Sequence, residues 1–436
     1  MAPHHGGAGA AVFERIYRQR LEADLARWQA DGVIAPATGG AIRRTLRPLP
    51  EGVTVATVVG IVGGLLIAAA FLAFVAANWT AIARPLRFAL LLVGIAGAYG
   101  IAAWFDRRGH SYLSDLAVSV GAIVFGAAIA LVGQMYHLDE DFAGGLLLWA
   151  AGTLAGATLT GSRGALAIAL TVGCLWSGVR VFFEIADVHL PFLAFWLIAV
   201  GLAIAWDSAV AYHLVSAAAI VWLVQSGFGV ERSQNGHFDL MVCAGTSLLL
   251  GAGLACASGG PGRLRAFGVT VSNYAAFALA LIVAWSVVDP FSGPPVYGRG
   301  PYWVPVPILG CSLAGAVLAF VSGAISRRIG PGLAGVAIIL ALGLTAGWDR
   351  PAPDHEPWLA YALALATTLC LVVSGLLDDV RPRVVAGWLG LGLTIAAITW
   401  AVKGSLLRRS LFLAVSGLVA IGLAATLGRL LRKERA

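Results

Sequence analysis

Charge is what this sequence has least of. Asp, Glu, Lys and Arg make up 12% of its 436 residues, where a soluble domain carries about 25%. Hydrophobic residues reach 59% and the mean hydropathy is +0.86. A soluble chain this apolar has no surface to show to water, so the solvent it is built for is lipid. Paired cysteines are missing as well. Cys174, Cys243, Cys256, Cys311 and Cys370 each sit in or beside an apolar run, with no C-x-x-C and no Cys/His metal spacing. That argues against a disulfide framework and a zinc module, and five small core residues is the simpler reading. The sequence has no Walker loop, Rossmann fingerprint, H-E-x-x-H or G-x-S-x-G elbow, which argues against an ATP-driven pump or a standard hydrolase in this chain alone. No catalytic residue, metal or cofactor is assigned. A short apolar core within the first 30 or so residues, the mark of a cleavable signal peptide, is absent too. The first apolar run, from near Val53, is therefore expected to act as an uncleaved anchor.

Glycine, by contrast, is plentiful at 55 residues. It falls inside long Ala/Leu/Val runs, where small residues let membrane helices approach closely. Gly60 with Gly64, and Gly152 with Gly156, have the small-xxx-small spacing of a dimer face, a weak signal in so Gly-rich a chain.

Residues 1–52 read as a cytosolic amphipathic helical hairpin. Val12, Phe13, Ile16, Tyr17, Leu21, Leu25 and Trp28 recur at three- and four-residue steps and form one face, expected to point inward. Glu14, Arg18, Glu22, Asp24 and Arg27 mostly cover the other. Asp31-Gly32 ends this helix. Pro36 opens a second one, through about Arg47, which Pro48 and Pro50 break. The hairpin lies on the lipid surface, binds a partner or, in the favoured reading, packs against the transmembrane part of the chain.

Residues 53–436 form a ladder of apolar runs near 53–77, 86–105, 115–135, 142–160, 164–182, 190–206, 208–226, 239–257, 266–288, 303–324, 331–347, 357–377, 383–402 and 410–428. Each is close to the roughly 20 residues that cross the hydrocarbon. The expected fold class is all-α, a polytopic transmembrane helix bundle of about 14 spans. Asp207 alone separates two of the runs, so a tight turn or a re-entrant element is expected there. With the N-terminus in the cytoplasm and strict alternation, 20 Lys and Arg residues fall on the cytoplasmic side and 9 opposite. That is the positive-inside bias. The net charge of +7 thus marks one face of a membrane protein and needs no nucleic-acid partner. Lys403, Arg408 and Arg409 on the outer side run against the pattern.

Three stretches carry a family resemblance. They are Leu25-Ala-Arg-Trp-Gln-Ala-Asp-Gly-Val-Ile34, Ala77-Asn78-Trp79 at the close of the first run, and Gly121 to Asp141 with its Gln134-Met-Tyr136-His137-Leu-Asp139. The ending, Arg409-Ser-Leu-Phe-Leu to Arg429, is also similar. The chain resembles a bacterial family of predicted membrane proteins known as domain of unknown function 2157. The motifs concentrate in about the first 165 residues. The resemblance implies a membrane protein and transfers no activity and no catalytic residue.

The most polar cluster near a membrane end is Gln134, Tyr136, His137, Asp139, Glu140 and Asp141, at the outer end of the third span. Carboxylates beside a His can bind a cation or shift the imidazole toward neutral pH. An acidic loop with one interfacial aromatic residue is the plainer alternative, and four metal ligands cannot be assembled locally. Within the membrane the candidates are His213, Asn273 and Asn78, because polar groups in hydrocarbon usually face a protein interior. His213 reads as a proton-relay group or a hydrogen-bonded neutral core residue, and Asn78-Trp79 as a span cap and interface anchor. Arg180 and Glu184, one turn apart, can pair. The Pro- and aromatic-rich stretches 290–307 and 348–358 read as interface belts or as covers of an outward cavity.

The expected function is a non-enzymatic structural or accessory component of a bacterial inner membrane, with both termini cytoplasmic. The alternatives are a secondary transporter of two inverted seven-helix halves, and an enzyme acting on a lipid-linked substrate. The bilayer is the one partner implied, and protein partners are unknown from sequence.

Overall fold

A backbone in hydrocarbon must satisfy its N–H and C=O groups within its own segment, so apolar runs of this length become helices. The computed structural model describes residues 21–45 except 23, scattered positions between 59 and 73, and residues 83–136, 141–184, 188–234, 238–288, 306–346 and 358–401. Among these there is no strand. The helices are α1 (Pro36–Thr45), α2 (Arg84–Arg107), α3 (Ser111–Tyr136), α4 (Phe142–Thr160), α5 (Arg163–Phe182), α6 (Pro191–Trp206), α7 (Ala209–Gln234), α8 (Phe238–Gly259), α9 (Gly262–Val288), α10 (Val306–Ser326), α11 (Ile329–Thr345), α12 (Trp358–Leu377) and α13 (Arg381–Ala401). Ten of them are long and apolar enough to cross a membrane. The apolar helices α6 and α11 are shorter, at 16 and 17 residues.

The second to thirteenth expected spans each coincide with one helix from α2 to α13. Positions 59, 62–64, 66, 69–70 and 73 of the first are helical. The last, 410–428, lies outside the described residues, so the total of about 14 extends beyond them. At Asp207 the chain makes a tight turn. The residue adopts the left-handed conformation (φ 48°, ψ 44°) as the C-cap of α6, and its N–H donates to the Ile204 carbonyl.

The same device recurs. Helices α2–α3, α4–α5, α6–α7, α8–α9, α10–α11 and α12–α13 are joined by two or three residues each. Five of these six turns carry a residue with positive φ: Gly109, Gly161, Asp207, Arg327 and Asp379. A left-handed residue lets the chain leave one helix and enter the next without a long loop.

The chain divides into two compact units. Residues 1–141 with 152–169 make one, and residues 142–151 with 170–436 the other. The boundary falls inside α4 and α5, away from residues 226–239, where an equal division into seven-span halves would put it.

In the first unit residues 24–30 are helical, and Gly32 (φ +72°) ends that helix as its sequence implies. Leu25 is fully buried while Trp28 is 37% exposed, so the inward face does not extend to Trp28. That residue sits at the hairpin bend, where its carbonyl accepts from Val33 and Ile34 N–H. Phe13, Ile16 and Tyr17 lie outside the described residues. α2 packs on α3. Gly152 and Gly156 of α4 seat the Phe125 ring and the Tyr99 hydroxyl, so this small-xxx-small pair is used within the chain.

In the second unit six helices close on one another in the order α8, α10, α11, α12, α13, α9 and back to α8. Their shared interior is filled by Leu250, Leu254, Leu279, Ile338, Leu371 and many alanines. Glycines set the closest approaches. A methyl on Gly251 would stand 2.1 Å from the Gly315 carbonyl oxygen, and one on Gly268 would stand 2.6 Å from that of Gly253. Without a hydrophobic drive between helices in lipid, such close packing supplies the contact energy. α7 packs on α8 and α9, and α6 on α7.

Candidate functional site

Helices α5 and α7 run in the same direction, and polar side chains join them along one seam. Gln225 Nε2–H donates to the Cys174 carbonyl (3.1 Å), and Arg232 Nη1 donates to the carbonyls of Val181 (3.0 Å) and Phe182 (3.2 Å). Cys174, Ser177, Gly178 and Val181 share the α5 face by helical spacing, as Trp222, Gln225 and Ser226 share the α7 face. Gly178 matters here, because a Cβ at that position would stand 3.1 Å from Gln225 Nε2.

His189, between α5 and α6, packs beside this seam. Its ring meets Trp176 edge-to-face at 4.3 Å, and its carbonyl accepts from Trp222 Nε1–H at 3.1 Å. Trp222 in turn stacks on Phe192 of α6. His189 is buried, and that burial pushes its pKa below the ordinary imidazole value; the nearby Arg180 guanidinium lowers it further and Glu184 partly restores it. Arg180 and Glu184 do pair, one turn apart. Five buried polar atoms at this place have no hydrogen-bond partner: Trp176 Nε1, Ser177 Oγ, His189 Nδ1, Gln225 Oε1 and Ser226 Oγ. Each such atom costs about 1–3 kcal/mol.

A second polar constellation joins three helix ends. Arg383 Nη1 donates to Asp378 Oδ2 (2.7 Å) and to Ser374 Oγ (3.0 Å), while Ser374 Oγ–H donates to the Gly330 carbonyl (2.7 Å). The Arg383 and Asp378 side chains are only 4% and 5% exposed. A Cβ at position 330 would collide with the Asp378 carboxylate. In the first unit, Asp115 of α3 accepts from Ser162 Oγ–H (2.5 Å) and from the Gly164 N–H (3.3 Å) at the start of α5. A carboxylate there complements the unpaired N–H groups and positive dipole end of the helix.

The sequence-derived candidates fall elsewhere. α3 ends at Tyr136 as expected. Gln134 and Tyr136 are exposed, Met135 is buried, and Asp141 is exposed just before α4 begins. His137, Asp139 and Glu140 lie outside the described residues, as does Asn78. His213 is in α7, but it is exposed rather than turned into the core, with its ring 5.7 Å from that of Tyr274. Asn273 of α9 is half-buried, and its Oδ1 has no partner. Among the described residues, no group of three or more His, Cys, Asp or Glu could hold a metal ion.

Sequence reasoning passed over the seam and the Arg383 pair. Gln225-Ser226 near the end of an apolar run was a usable signal, as was the acidic pair Asp378-Asp379 followed so closely by Arg383. No curated protein and no solved structure matches the chain. Residues 26–166 match the family model described as predicted membrane protein, domain of unknown function 2157, in agreement with the motifs between Trp28 and Asp141.

Proposed function

We propose that this is a multi-pass protein of a bacterial inner membrane, with both termini cytoplasmic, acting as a non-enzymatic structural or accessory component of the envelope. The observation that carries this reading is the interior of the α8–α13 bundle. Six helices close on a core of Ala, Leu, Val, Ile and one Cys, and the charged side chains buried among these helices, Arg383 and Asp378, pair with each other at the helix ends. Transport paths and membrane-embedded reaction centres are built on polar and ionisable groups facing an interior or a cavity. The orientation is supported by Arg107, Arg108, Arg163, Arg263, Arg265, Arg327, Arg328 and Arg381, which all stand at or beside the tight hairpin turns. On this topology Gln134, Tyr136 and Asp141, all exposed, lie at the outer boundary.

The test pairs a deletion strain with the purified full chain in liposomes. The expected result is an envelope sensitised to detergent and osmotic shock, restored by the intact gene, with no solute flux in the liposomes. Gradient-driven uptake of a solute by the reconstituted protein would overturn the structural reading in favour of a transporter.

A further inference from the structure

The turn between α2 and α3 sets cationic and aromatic side chains together at one end of the first unit. Its backbone is fixed. The Arg108 and His110 N–H groups both donate to the Phe105 carbonyl (3.1 and 3.0 Å), and Gly109, at φ +78°, donates to that of Asp106 (2.9 Å). On this frame the Arg108 guanidinium carbon lies 4.3 Å from the centre of the Trp104 ring. Such a contact holds the guanidinium in place and leaves its in-plane N–H donors free to meet an oxyanion. Arg107 and Arg108 are exposed, and among the described residues neither pairs with a carboxylate. Asp106 is the one acid of the turn, so two positive charges stand against one negative. Other turns differ. Arg383 is engaged by Asp378, and Arg263 stands 4.0 Å from Asp207.

Apolar surface runs up to these cations. Trp104 is 48% exposed and Ile101 beside it 53%. Val93, also exposed, continues the same face of α2 by helical spacing. α2 is the least enclosed of the ten helices able to cross a membrane. Cations at the end of a lipid-facing helix match a phospholipid, whose phosphate sits at the water boundary with its acyl chains beneath. An acidic protein segment would match the arginines and leave the apolar face unused. Neutral phospholipids carry the same phosphate, but their ammonium group offsets its charge and meets like charge at the arginines.

We propose that the α2–α3 turn is a binding site for an anionic phospholipid. Arg107 and Arg108 hold its headgroup phosphate, and an acyl chain lies along the Val93, Ile101 and Trp104 face of α2. The site requires that α2 span a bilayer. It does not depend on which side the turn faces, nor on the structural role proposed above.

Fluorescence quenching tests this with the purified full chain in phosphatidylcholine vesicles. A minor fraction of the lipid is replaced by phosphatidylglycerol or by phosphatidylcholine, brominated in each case near the headgroup end of the acyl chain. Bromine quenches an indole that it touches. The Trp104 signal is the difference between each protein and its Trp104→Phe counterpart. In the unaltered chain the anionic lipid should quench it about threefold more than the neutral one, within what two basic side chains at a membrane surface supply. Arg107→Gln with Arg108→Gln should abolish that preference. Arg327→Gln with Arg328→Gln, an equal loss of charge at another turn, should leave it. Equal quenching by both lipids overturns the proposal, and is the result expected of a turn that receives an acidic protein instead. Equal losses in the two double variants overturn it in favour of the general charge of that end of the protein. A preference abolished by inorganic phosphate at constant ionic strength assigns the turn to soluble anions and overturns the lipid. Should a variant not fold, a photoreactive phosphatidylglycerol added to the unaltered chain decides. Cross-links should concentrate within residues 101–112, and an even spread over the hairpin turns overturns the site.

Discussion

Arg383 stands where three helix ends converge, and it shows how much one side chain can hold. Its guanidinium bridges the Asp378 carboxylate and Ser374, which itself fastens the Gly330 carbonyl at the start of α11. Arg383→Ala would leave Asp378 buried without its counter-charge. We expect a loss of about 3–5 kcal/mol in a denaturant titration in detergent. The double replacement Arg383→Met with Asp378→Leu should recover most of it, because desolvating the pair offsets much of its Coulomb attraction. A double variant no more stable than Arg383→Ala would contradict this. Gly251 makes the same point through volume. Gly251→Leu drives a side chain into the Gly315 backbone, which cannot swing away. A loss of about 3 kcal/mol or more, seen as a lowered thermal midpoint, is the expected outcome. Neither residue was legible as important in the sequence. Arg383 reads there as one more positive charge at a span end, and Gly251 as one of 55 glycines. Which glycine meets a backbone depends on the pairing of helices, and no single helix encodes that.

His189 adds a pH dependence of definite sign. Burial and Arg180 hold its folded pKa below 6.5, the ordinary value. Protons therefore bind the unfolded chain in preference, and the stability tied to the neutral ring is fully present above 6.5. It declines as pH falls through 6.5 toward the folded value. The thermal midpoint should drop between pH 7 and pH 5. In His189→Gln, which stays neutral, that drop should be smaller. Identical pH profiles for the two proteins would show that His189 does not titrate in this way.

At the scale of the element, the sequence is most readable. Helices α2 to α13 follow the apolar runs closely because hydrocarbon leaves the backbone no alternative to a helix, and polar or glycine-bearing turns must interrupt them. The break at Asp207 was visible as a lone acidic residue between two apolar runs. Its left-handed geometry was not, since Asp, Arg and Gly all occupy that position in this chain. The turns also carry local strain. Arg327 holds φ at 53°, a conformation that costs a residue with a side chain about 1 kcal/mol or more. Arg327→Gly should therefore be neutral to stabilising by up to about 1 kcal/mol in thermal unfolding, whereas Arg328→Gly, at φ −116°, should destabilise. The reverse order would show that strain at the α10–α11 turn is not the governing term. Polar seams were less legible than helices. His213 and Asn273 stand out as letters in an apolar run, yet burial is set by neighbours far away in sequence, and it left His213 exposed and Ser177 and Ser226 enclosed.

At the scale of the whole molecule, the decisive question is which end of each helix faces the cytoplasm. The six hairpin turns recur after every second helix. A chain that alternates strictly across a bilayer therefore presents all of them on one side. Eight arginines stand at or beside those turns, from Arg107 to Arg381. The five opposite connections between α3 and α12 hold four, Arg180, Arg232, Arg299 and Arg350, and of these Arg180 is paired with Glu184 while Arg232 is bound to helix carbonyls. Positive charge is retained on the cytoplasmic side during insertion, and short loops obey this most strictly. The turns are as short as connections between adjacent helices can be. They should thus be cytoplasmic, as should both termini. Two measurements read this independently. A C-terminal alkaline phosphatase fusion should be inactive while a fluorescent protein at the same point is bright. A single cysteine at Arg327→Cys should resist a membrane-impermeant maleimide in intact spheroplasts and react in inverted vesicles, with Glu184→Cys behaving in the opposite way. Labelling of Arg327→Cys from outside would invert the whole assignment. Active phosphatase with correct cysteine labelling would confine the error to the last spans, where Lys403, Arg408 and Arg409 already run against the charge pattern.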